Sequence, residues 1–497
     1  MDVLAVVDTP SIKKYVFETP HLVDIEGASA LLDRLNRIEL PKLLAETDVQ
    51  TVYANGGSGQ FIFRDSTIAE AEEMLRRAEG LYSEATNGGA ALAWAAVPYE
   101  GSYNAVVQAA FAKLRAKRDL SAPLSAESFL PLVKLCEACH SRPVSQLYRI
   151  PESIWLCSIC ATKRRTAHAI RHGHDDTRFG LWYQFEDFLG YKVSRPQKLP
   201  DIADRIALIY ADGNAMGRRI RQITTPEDYR TFSEAVDKAV REACYTALED
   251  LVTGNERSAE ISASILLLGG DDLVVVVPAD KGLQIAYKIG RTYEELTHEY
   301  LGDFLKRNGM GTKLTLSFGV AISRHSHPFE YLIDAAQQLL ASAKVRGTNI
   351  NPDDPPSCID FHLAQTTSHV DIECARSHYG HLGTEGHYKP TRRPYTLEDL
   401  EILTRVAAHL KNANYPTSQL NALYESLFST PAQAEMIARE IWARNKDKAR
   451  KALRTAMEMA NCFSPLPWSP EGDTILSELV EFYDLLPERP LRGDNSA

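Results

Sequence analysis

Residues 261–277 read I-S-A-S-I-L-L-L-G-G-D-D-L-V-V-V-V, and the fold prediction starts from this stretch. Two apolar runs, rich in β-branched residues, flank the four-residue break Gly269-Gly270-Asp271-Asp272. The pattern predicts a buried β-hairpin, because glycine supplies the positive φ angle that a tight turn needs. Asp is an ordinary turn residue, but two adjacent carboxylates repel each other unless a cation neutralises them. We therefore expect a divalent-metal site at the hairpin tip, where the glycines leave room for a phosphate.

A third carboxylate follows another apolar run. Residues 205–217 read R-I-A-L-I-Y-A-D-G-N-A-M-G, a predicted strand that ends in Asp212, Gly213 and Asn214. A strand ending in Asp, then helices, then a Gly-Gly-Asp-Asp hairpin is similar to the palm domains of nucleotide polymerases and cyclases. Mg²⁺ is usually bound by one or two carboxylates plus substrate phosphates, and two such ions can promote attack by a hydroxyl group. The expected ligands of a two-ion Mg²⁺ or Mn²⁺ site are Asp212, Asp271 and Asp272.

Composition describes a soluble globular chain. Its 497 residues predict three or four domains, and 44% hydrophobic and 24% charged residues provide an ample core. No run approaches the ~20 apolar residues of a membrane span, and no signal peptide is recognisable, so we expect a cytoplasmic protein without a membrane partner. The net charge of −11 argues against general nucleic-acid coating. Three basic segments are either local basic grooves or solvated helix faces: residues 113–118, 163–171 and 439–454.

Four of the eight cysteines have the spacing of a zinc site. Cys136-x-x-Cys139 is followed after seventeen residues by Cys157-x-x-Cys160. Each pair predicts a tight knuckle that presents two thiolates to a tetrahedral Zn²⁺ ion. Because four cysteines leave no open coordination position, the predicted role is structural. The other four cysteines are scattered, which suits a reducing compartment rather than a disulfide framework.

A polar stretch follows the second cysteine pair. It contains His168, His172, His174 and Asp175-Asp176. A His-Asp nuclease site would need further ligands that the sequence does not arrange, so we expect an exposed loop.

The first 120 residues predict the order β-α-β-β-α-β of a ferredoxin-like layer. They also resemble the later segment, since a strand ends in Asp8 as another ends in Asp212, and Gly56-Gly57 heads a hairpin. We interpret this as an internal duplication. The acidic pair is replaced by Ser58 and Gly59 in the first copy, so metal binding is expected to be lost there.

The predicted class is α+β, with two ferredoxin-like palm domains, a four-cysteine zinc ribbon between them and an all-α C-terminal domain. In the last of these domains, the pattern predicts one helix over residues 431–459. The expected limits are a degenerate palm-like domain at 1–120, a zinc-ribbon and linker domain at 121–203, a catalytic palm domain at 204–370, a linker at 371–395 and a helical domain at 396–497.

Two cations lie near the end of a predicted helix, in the sequence A-K-V-R-G-T-N at residues 343–349. A helix that follows the sheet could bring Lys344 and Arg346 to a triphosphate. The alternative is that both are ordinary cations at a helix C-terminus.

These motifs together resemble a known family. The opening segments D-T-P-S-I-K-K-Y-V-F and G-A-S-A-L-L-D-R-L-N, the zinc ribbon, A-D-G-N-A-M-G and L-G-G-D-D-L are similar to the large polymerase-like subunit of type III CRISPR effector complexes, in its Cmr-type form. The similarity runs from Asp8 to about Asn349. It implies two packed palm domains, of which the second joins ATP into cyclic oligoadenylates that signal to effector nucleases when target RNA is present.

The resemblance also implies residue roles. Asp212 and Asp271 would be metal ligands, and Asp272 an outer or second-metal carboxylate. Lys344 resembles the lysine of the A-K-x-x-G-x-N segment in diguanylate cyclases. The implied nucleotide-binding set is Gly213, Asn214, Gly269, Gly270, Lys344 and Arg346.

Many family members begin with an HD nuclease domain, whereas this chain begins almost directly with the first palm strand, so DNA cleavage is not expected. The implied partners are ATP, guide or target RNA and small effector-complex subunits. Three alternatives stay open: a stand-alone defence enzyme, a GTP-using cyclase that dimerises, and a catalytically silent scaffold of an RNA-guided complex.

Overall fold

The computed structural model is a mixed α+β protein, which confirms the predicted class. Contacts divide the chain into two compact units, and the domain limits expected from the sequence stay predictions. Unit 1 comprises Met1–Asp201, Ala215–Val275 and Glu295–Leu314, and unit 2 comprises Ile202–Asn214, Val276–Glu294 and Thr315–Ala497. The structure describes residues 1–120, 133–149, 153–172, 179–364, 371–374, 376, 389–428, 430–462 and 468–491.

Unit 1 begins with a four-stranded antiparallel sheet in the order β2-β3-β1-β4. The central strand β1 is apolar along its length and is buried on both faces, which is why Val3 to Val7 form a continuous run rather than an alternating one. The elements are β1 (Val3–Asp8), α1 (Ile12–Val16), α2 (Leu22–Arg34), a π-helical turn (Leu35–Glu39), α3 (Leu40–Leu44), β2 (Val49–Asn55), β3 (Ser58–Phe63), α4 (Ile68–Thr86), β4 (Ala93–Pro98) and α5 (Tyr103–Leu120).

The next elements in the chain run from the cysteine pairs to the hairpin that contains Asp271 and Asp272. All of them except β7 and the end of β11 belong to unit 1. They are β5 (Gln146–Tyr148), β6 (Ile154–Leu156), α6 (Ser158–His172), α7 (Leu181–Leu189), β7 (Arg205–Gly213), α8 (Met216–Ile220), α9 (Pro226–Glu249), β8 (Val252–Thr253), β9 (Glu260–Ile261), β10 (Ser264–Gly269) and β11 (Asp272–Pro278).

Helix α6 corrects two expectations. His168 and His172 lie within this helix, so the predicted exposed loop is wrong for them, because apolar residues such as Ala167 and Ile170 keep the helix packed. His174 and Asp175-Asp176 lie outside the described residues. The basic segment 163–171 is not a solvated face as a whole, since three of its four cations pair with acids within residues 18–26, and only Arg165 is exposed. These pairs are Lys163–Glu18 at 3.1 Å, Arg164–Asp24 at 2.7 Å and Arg171–Glu26 at 2.6 Å.

Unit 2 contains the strand order β7-β12-β13-β14. Strand β12 pairs antiparallel with β7 and parallel with β13, and Ile206 to Ala211 of β7 are almost fully buried. The remaining elements, which also complete unit 1, are α10 (Gly282–Arg307), β12 (Leu316–Arg324), α11 (Phe329–Ile350), β13 (Cys358–Leu363), β14 (Tyr395–Thr396), α12 (Leu397–Asn412), α13 (Thr417–Ser426), α14 (Pro431–Arg444), α15 (Asp447–Met459) and α16 (Leu476–Glu481).

The C-terminal region is helical, as predicted, but the single helix expected over 431–459 is two helices. Asn445 has extended backbone angles and ends α14. The guanidinium of Arg450 then donates hydrogen bonds to the carbonyl oxygens of Trp442, Ala443 and Asn445, which satisfies the last groups of that helix. No helix among the described residues is long and apolar enough to cross a membrane.

Helix α11 packs unusually close to β12 because Gly319 has no side chain. A Cβ atom at this position would lie 2.0 Å from the carbonyl oxygen of Ala336 on α11. This contact sets the height of α11, and therefore of Lys344, above the sheet.

We expect Gly319→Ala to lower the thermal unfolding midpoint, because the added methyl group meets rigid backbone and overpacking costs about 1–3 kcal/mol. Gly80→Ala is the matched control. Gly80 lies inside α4 with no atom near its missing Cβ, so this variant should be slightly more stable, by about 0.5–1 kcal/mol. A Gly319→Ala variant as stable as the parent would contradict the close packing of α11.

Candidate metal and nucleotide site

The segment Gly269–Asp272, which we call the acidic turn, lies between β10 and β11. Gly270 has a φ of 64°, in the left-handed region that favours glycine. Asp272 is the first residue of β11, and its Oδ1 atom lies 3.6 Å from the Nζ atom of Lys13. Both side chains of this ion pair are partly exposed, although the Oδ1 atom of Asp272 itself is buried.

A second glycine turn touches the acidic turn. Gly56, between β2 and β3, has a φ of 57°. A Cβ atom added to Gly269 would lie 3.4 Å from the Cα atom of Gly56, and one added to Gly56 would lie 3.4 Å from the carbonyl oxygen of Gly269. Both positions lack side chains where the two backbones approach each other.

Asp237 on α9 anchors the acidic turn. Its Oδ1 atom accepts hydrogen bonds from the backbone N–H of Gly270 at 3.2 Å and from Arg37 at 2.6 Å. Its Oδ2 atom accepts from Nε of Arg241 at 3.0 Å, and Arg241 also donates to the carbonyl oxygen of Leu268 at 3.3 Å. Burial acts to raise the pKa of Asp237, but the two guanidinium groups outweigh it and keep the pKa below its usual value. Asp237 is therefore ionised at neutral pH.

Sequence reasoning did not identify Asp237, Arg241 or Arg37 as site residues. The available signal was the spacing of Asp237 and Arg241, because oppositely charged residues four apart on a helix lie side by side. Such pairs are common on solvated helices, so the spacing alone does not indicate a site.

A small open cleft lies beside the acidic turn within unit 1. Its wall combines apolar side chains with polar groups from α2 and from both glycine turns. Polar and glycine residues that line it include Lys13, Asp33, Asn36, Gly56, Gly269 and Asp272.

In unit 2, Asp212 lies near the end of β7, opposite Ser317 of β12. Its carboxylate forms an ion pair with Lys344 of α11, and the two side chains are 28% and 35% exposed. The structure therefore brings together two of the residues singled out from the sequence. Arg346, two residues further along α11, is exposed.

Asn214 is buried directly after β7, next to the buried Gly213. Its Nδ2 atom donates to Oγ1 of Thr315 at 3.0 Å and to the carbonyl oxygen of Pro356 at 3.2 Å, and its Oδ1 atom accepts from Ser317 at 2.8 Å. These bonds fix the end of the strand that carries Asp212. Thr315 and Ser317 were not predicted as supporting residues.

The predicted carboxylates belong to different units. Asp212 lies in unit 2, whereas Asp271 and Asp272 lie in unit 1. Their convergence on one pair of metal ions stays a prediction.

The four predicted cysteines form a cluster, with all their Sγ atoms within 4.8 Å of one another. Tetrahedral Zn–S bonds of about 2.3 Å place sulfur atoms about 3.8 Å apart, and the Sγ atoms of Cys139 and Cys157 are 4.0 Å apart. The first pair lies in a turn closed by a hydrogen bond from His140 N–H to the carbonyl oxygen of Cys136. The second pair lies at the start of α6. The cluster fits a structural Zn²⁺ ion.

We expect Cys139→Ser to remove bound zinc and to lower the thermal unfolding midpoint, because a structural ion contributes directly to folding free energy. The exposed Cys374 provides the control, and Cys374→Ser should retain zinc. Metal content by mass spectrometry and thermal unfolding check both statements. Full zinc content in Cys139→Ser would contradict the assignment.

Comparison with known proteins matches one segment of this chain to a family model. The model, described as the second palm domain of Cas10/Cmr2, matches residues 205–350. This segment is Cas10-like. The matched segment contains Asp212, the acidic turn and Lys344, which confirms the resemblance found in the sequence. None of the curated proteins compared matches at a significant level.

Several solved structures share the fold of this chain. The crystal structure of a Csm1–Csm4 cassette in complex with cA4 matches with a TM-score of 0.55 and 14% identity, covering 98% of this chain and 70% of the other. Csm1 from T.onnurineus matches with a TM-score of 0.50 and 15% identity, covering 93% and 65%. A Csm1–Csm4 cassette with cA3 gives 0.53 and 14%, covering 98% and 69%. At these identities the likeness shows the fold alone.

Proposed function

We propose that this Cas10-like chain is a metal-dependent nucleotidyltransferase that joins ATP into cyclic oligoadenylates within type III CRISPR antiviral defence. The observation that carries the proposal is that residues 205–350, which match the second palm domain, contain all three acidic residues. Two of the similar cassettes were crystallised with the cyclic oligoadenylates cA4 and cA3. The cleft beside the acidic turn is open and is lined by glycines of both turns.

The metal ligands in this proposal are Asp212, Asp271 and Asp272, and the ions are Mg²⁺ or Mn²⁺. The side chains of Asp212 and Asp272 are partly exposed, and each already faces a cation, Lys344 or Lys13. Both observations suit a site that exchanges an ammonium group for a metal ion. When bound, the ions supply activation of the attacking 3′ hydroxyl and neutralisation of charge on the leaving pyrophosphate.

The chain's own residues orient the nucleotide. Gly269 and Gly270 present backbone without side chains, so a phosphate can approach closely. Lys344 and Arg346 supply positive charge to the triphosphate. Gly213 and Asn214 complete the proposed nucleotide-binding set. Because the Nδ2 atom of Asn214 already donates hydrogen bonds to Thr315 and Pro356, this residue supports the end of the strand rather than contacting the nucleotide through Nδ2.

The first copy has a related arrangement without the acidic pair. Asp8 at the end of β1 pairs with Arg118 of α5 at 2.7 Å, as Asp212 pairs with Lys344 of α11. Burial raises the pKa of Asp8, and the charge of Arg118 opposes this shift. With Ser58 and Gly59 in place of two Asp residues, we propose that this copy is a degenerate palm domain that closes the nucleotide pocket and performs no catalysis.

The proposed partners are small effector-complex subunits and RNA. Similar Csm1 chains were crystallised with Csm4. Segment 439–454 carries seven cations and two acids, and most of these cations are exposed on α14 and α15. This surface offers contacts for RNA phosphates.

Purified protein incubated with each labelled nucleoside triphosphate and Mg²⁺ or Mn²⁺, with and without target RNA, should form product from ATP. We expect the double variant Asp271→Asn/Asp272→Asn to reduce product formation at least about 100-fold, because it removes charge that binds the metal. Asp303→Asn, at an exposed position of α10, should retain full activity.

Other outcomes identify the alternatives. Product from GTP instead of ATP favours a diguanylate-cyclase-like enzyme. Absence of product with every nucleotide, together with tight binding to a ribonucleoprotein, favours a silent scaffold and would overturn the proposal.

Lys344→Met should separate binding of metal from binding of nucleotide. Removing the ammonium group leaves the Asp212 carboxylate without competition, so Mn²⁺ affinity should stay equal or increase. ATP affinity should fall about 10-fold, since a charge-assisted contact to phosphate is lost. Because the Lys344–Asp212 pair is partly exposed, stability should change by less than about 1 kcal/mol. Unchanged ATP affinity in titration calorimetry would remove Lys344 from the phosphate site.

A further inference from the structure

Four side chains of alternating charge form a closed ring behind the acidic turn. Arg37 lies 2.7 Å from Asp33 and 2.6 Å from Asp237, and Arg241 lies 3.0 Å from Asp237 and 3.5 Å from Asp33. We call these four residues the charge ring. Their side chains are 9–26% exposed, so each charge depends on its neighbours rather than on water.

The ring connects two parts of unit 1 that are about 200 residues apart in sequence. Asp33 belongs to α2 and Arg37 to the π-helical turn Leu35–Glu39. Asp237 and Arg241 belong to α9. A π-helical turn inserts an extra residue into a helix and is frequent at functional sites. In this protein the π-helical turn contains Arg37, the residue that closes the charge ring.

The ring also binds backbone within the acidic turn and directly before it. Asp237 accepts a hydrogen bond from the N–H of Gly270, and Arg241 donates one to the carbonyl oxygen of Leu268. Gly270 is the residue with positive φ, so this hydrogen bond fixes the peptide whose orientation sets the direction of the following residues, Asp271 and Asp272.

We propose that Asp237 is a positioning residue for the acidic turn, and that the charge ring makes the geometry of this turn depend on the π-helical turn of the first copy. Asp237 acts through the backbone of Gly270 and is not itself a metal ligand. The consequence for turnover rests on the proposed function, whereas the consequence for the backbone of the turn does not.

Asp237→Asn tests the proposal directly. Asparagine keeps the size of the side chain and an oxygen for the Gly270 N–H, but it loses the charge that the two arginines require. In hydrogen–deuterium exchange we expect peptides covering residues 266–272 to exchange at least about 10-fold faster, through local opening of the turn. Mn²⁺ affinity, measured by electron paramagnetic resonance, should fall about 10-fold. The Michaelis constant for ATP should change less than kcat.

Two further variants keep the test decisive. Glu242→Gln is the control. Glu242 lies on the same helix as Asp237, but its carboxylate contacts Tyr300 and not the acidic turn. All readouts of this variant should match those of the parent protein. Arg37→Gln removes the most exposed cation of the ring, and it should reproduce the local exchange and the loss of Mn²⁺ affinity even if Asp237→Asn folds poorly.

The results separate this proposal from the proposed function. Lower unfolding temperature in Arg37→Gln and Asp237→Asn, with unchanged exchange at residues 266–272 and unchanged Mn²⁺ affinity, would show a purely structural ring and overturn the inference. Failure of the parent protein to form product would overturn the proposed function, while faster exchange at the turn would still support the positioning role.

Discussion

The structure around the candidate site depends on the balance of charge at carboxylates with limited access to water. Asp237 faces two arginines, Asp212 faces Lys344, and Asp272 faces Lys13. The first of these pairings is buried and holds backbone in place, because removing one partner would leave an uncompensated charge. The other two are partly exposed, so loss of either pairing should cost little stability. Burial therefore separates the carboxylate that holds backbone in place from the two carboxylates proposed as metal ligands.

The two strand-end aspartates, Asp8 and Asp212, have similar surroundings in the two segments proposed as copies. Each carboxylate pairs with a cation from a later helix, and each segment has a glycine turn at the head of a hairpin. The glycine turns touch each other because neither has a side chain at the point of contact. The copies differ at the turn itself, where only the second has adjacent Asp residues. The shared features belong to the fold, and the acidic pair is the feature on which the proposed metal chemistry depends.

Helix α6 links the cysteine cluster to the candidate site. The second cysteine pair lies at its start, and Arg164 and Arg171 along it pair with Asp24 and Glu26 of α2. Helix α2 continues into the π-helical turn that supplies Arg37 to the charge ring. A zinc ion that orders α6 would therefore support α2, and through it the backbone of the acidic turn, without contacting nucleotide.

The amino-acid sequence by itself determined the α+β class, the cysteine cluster, the helical C-terminal region and the family resemblance. It could do so because strand periodicity, cysteine spacing and turn glycines are local patterns. The tertiary structure alone decided that Arg164 of α6 pairs with Asp24, that Asn445 divides a predicted helix, and that Asp237 holds Gly270 in place. These facts depend on partners distant in sequence, and a charged residue on a helix carries no local sign of whether water or an opposite charge will face it.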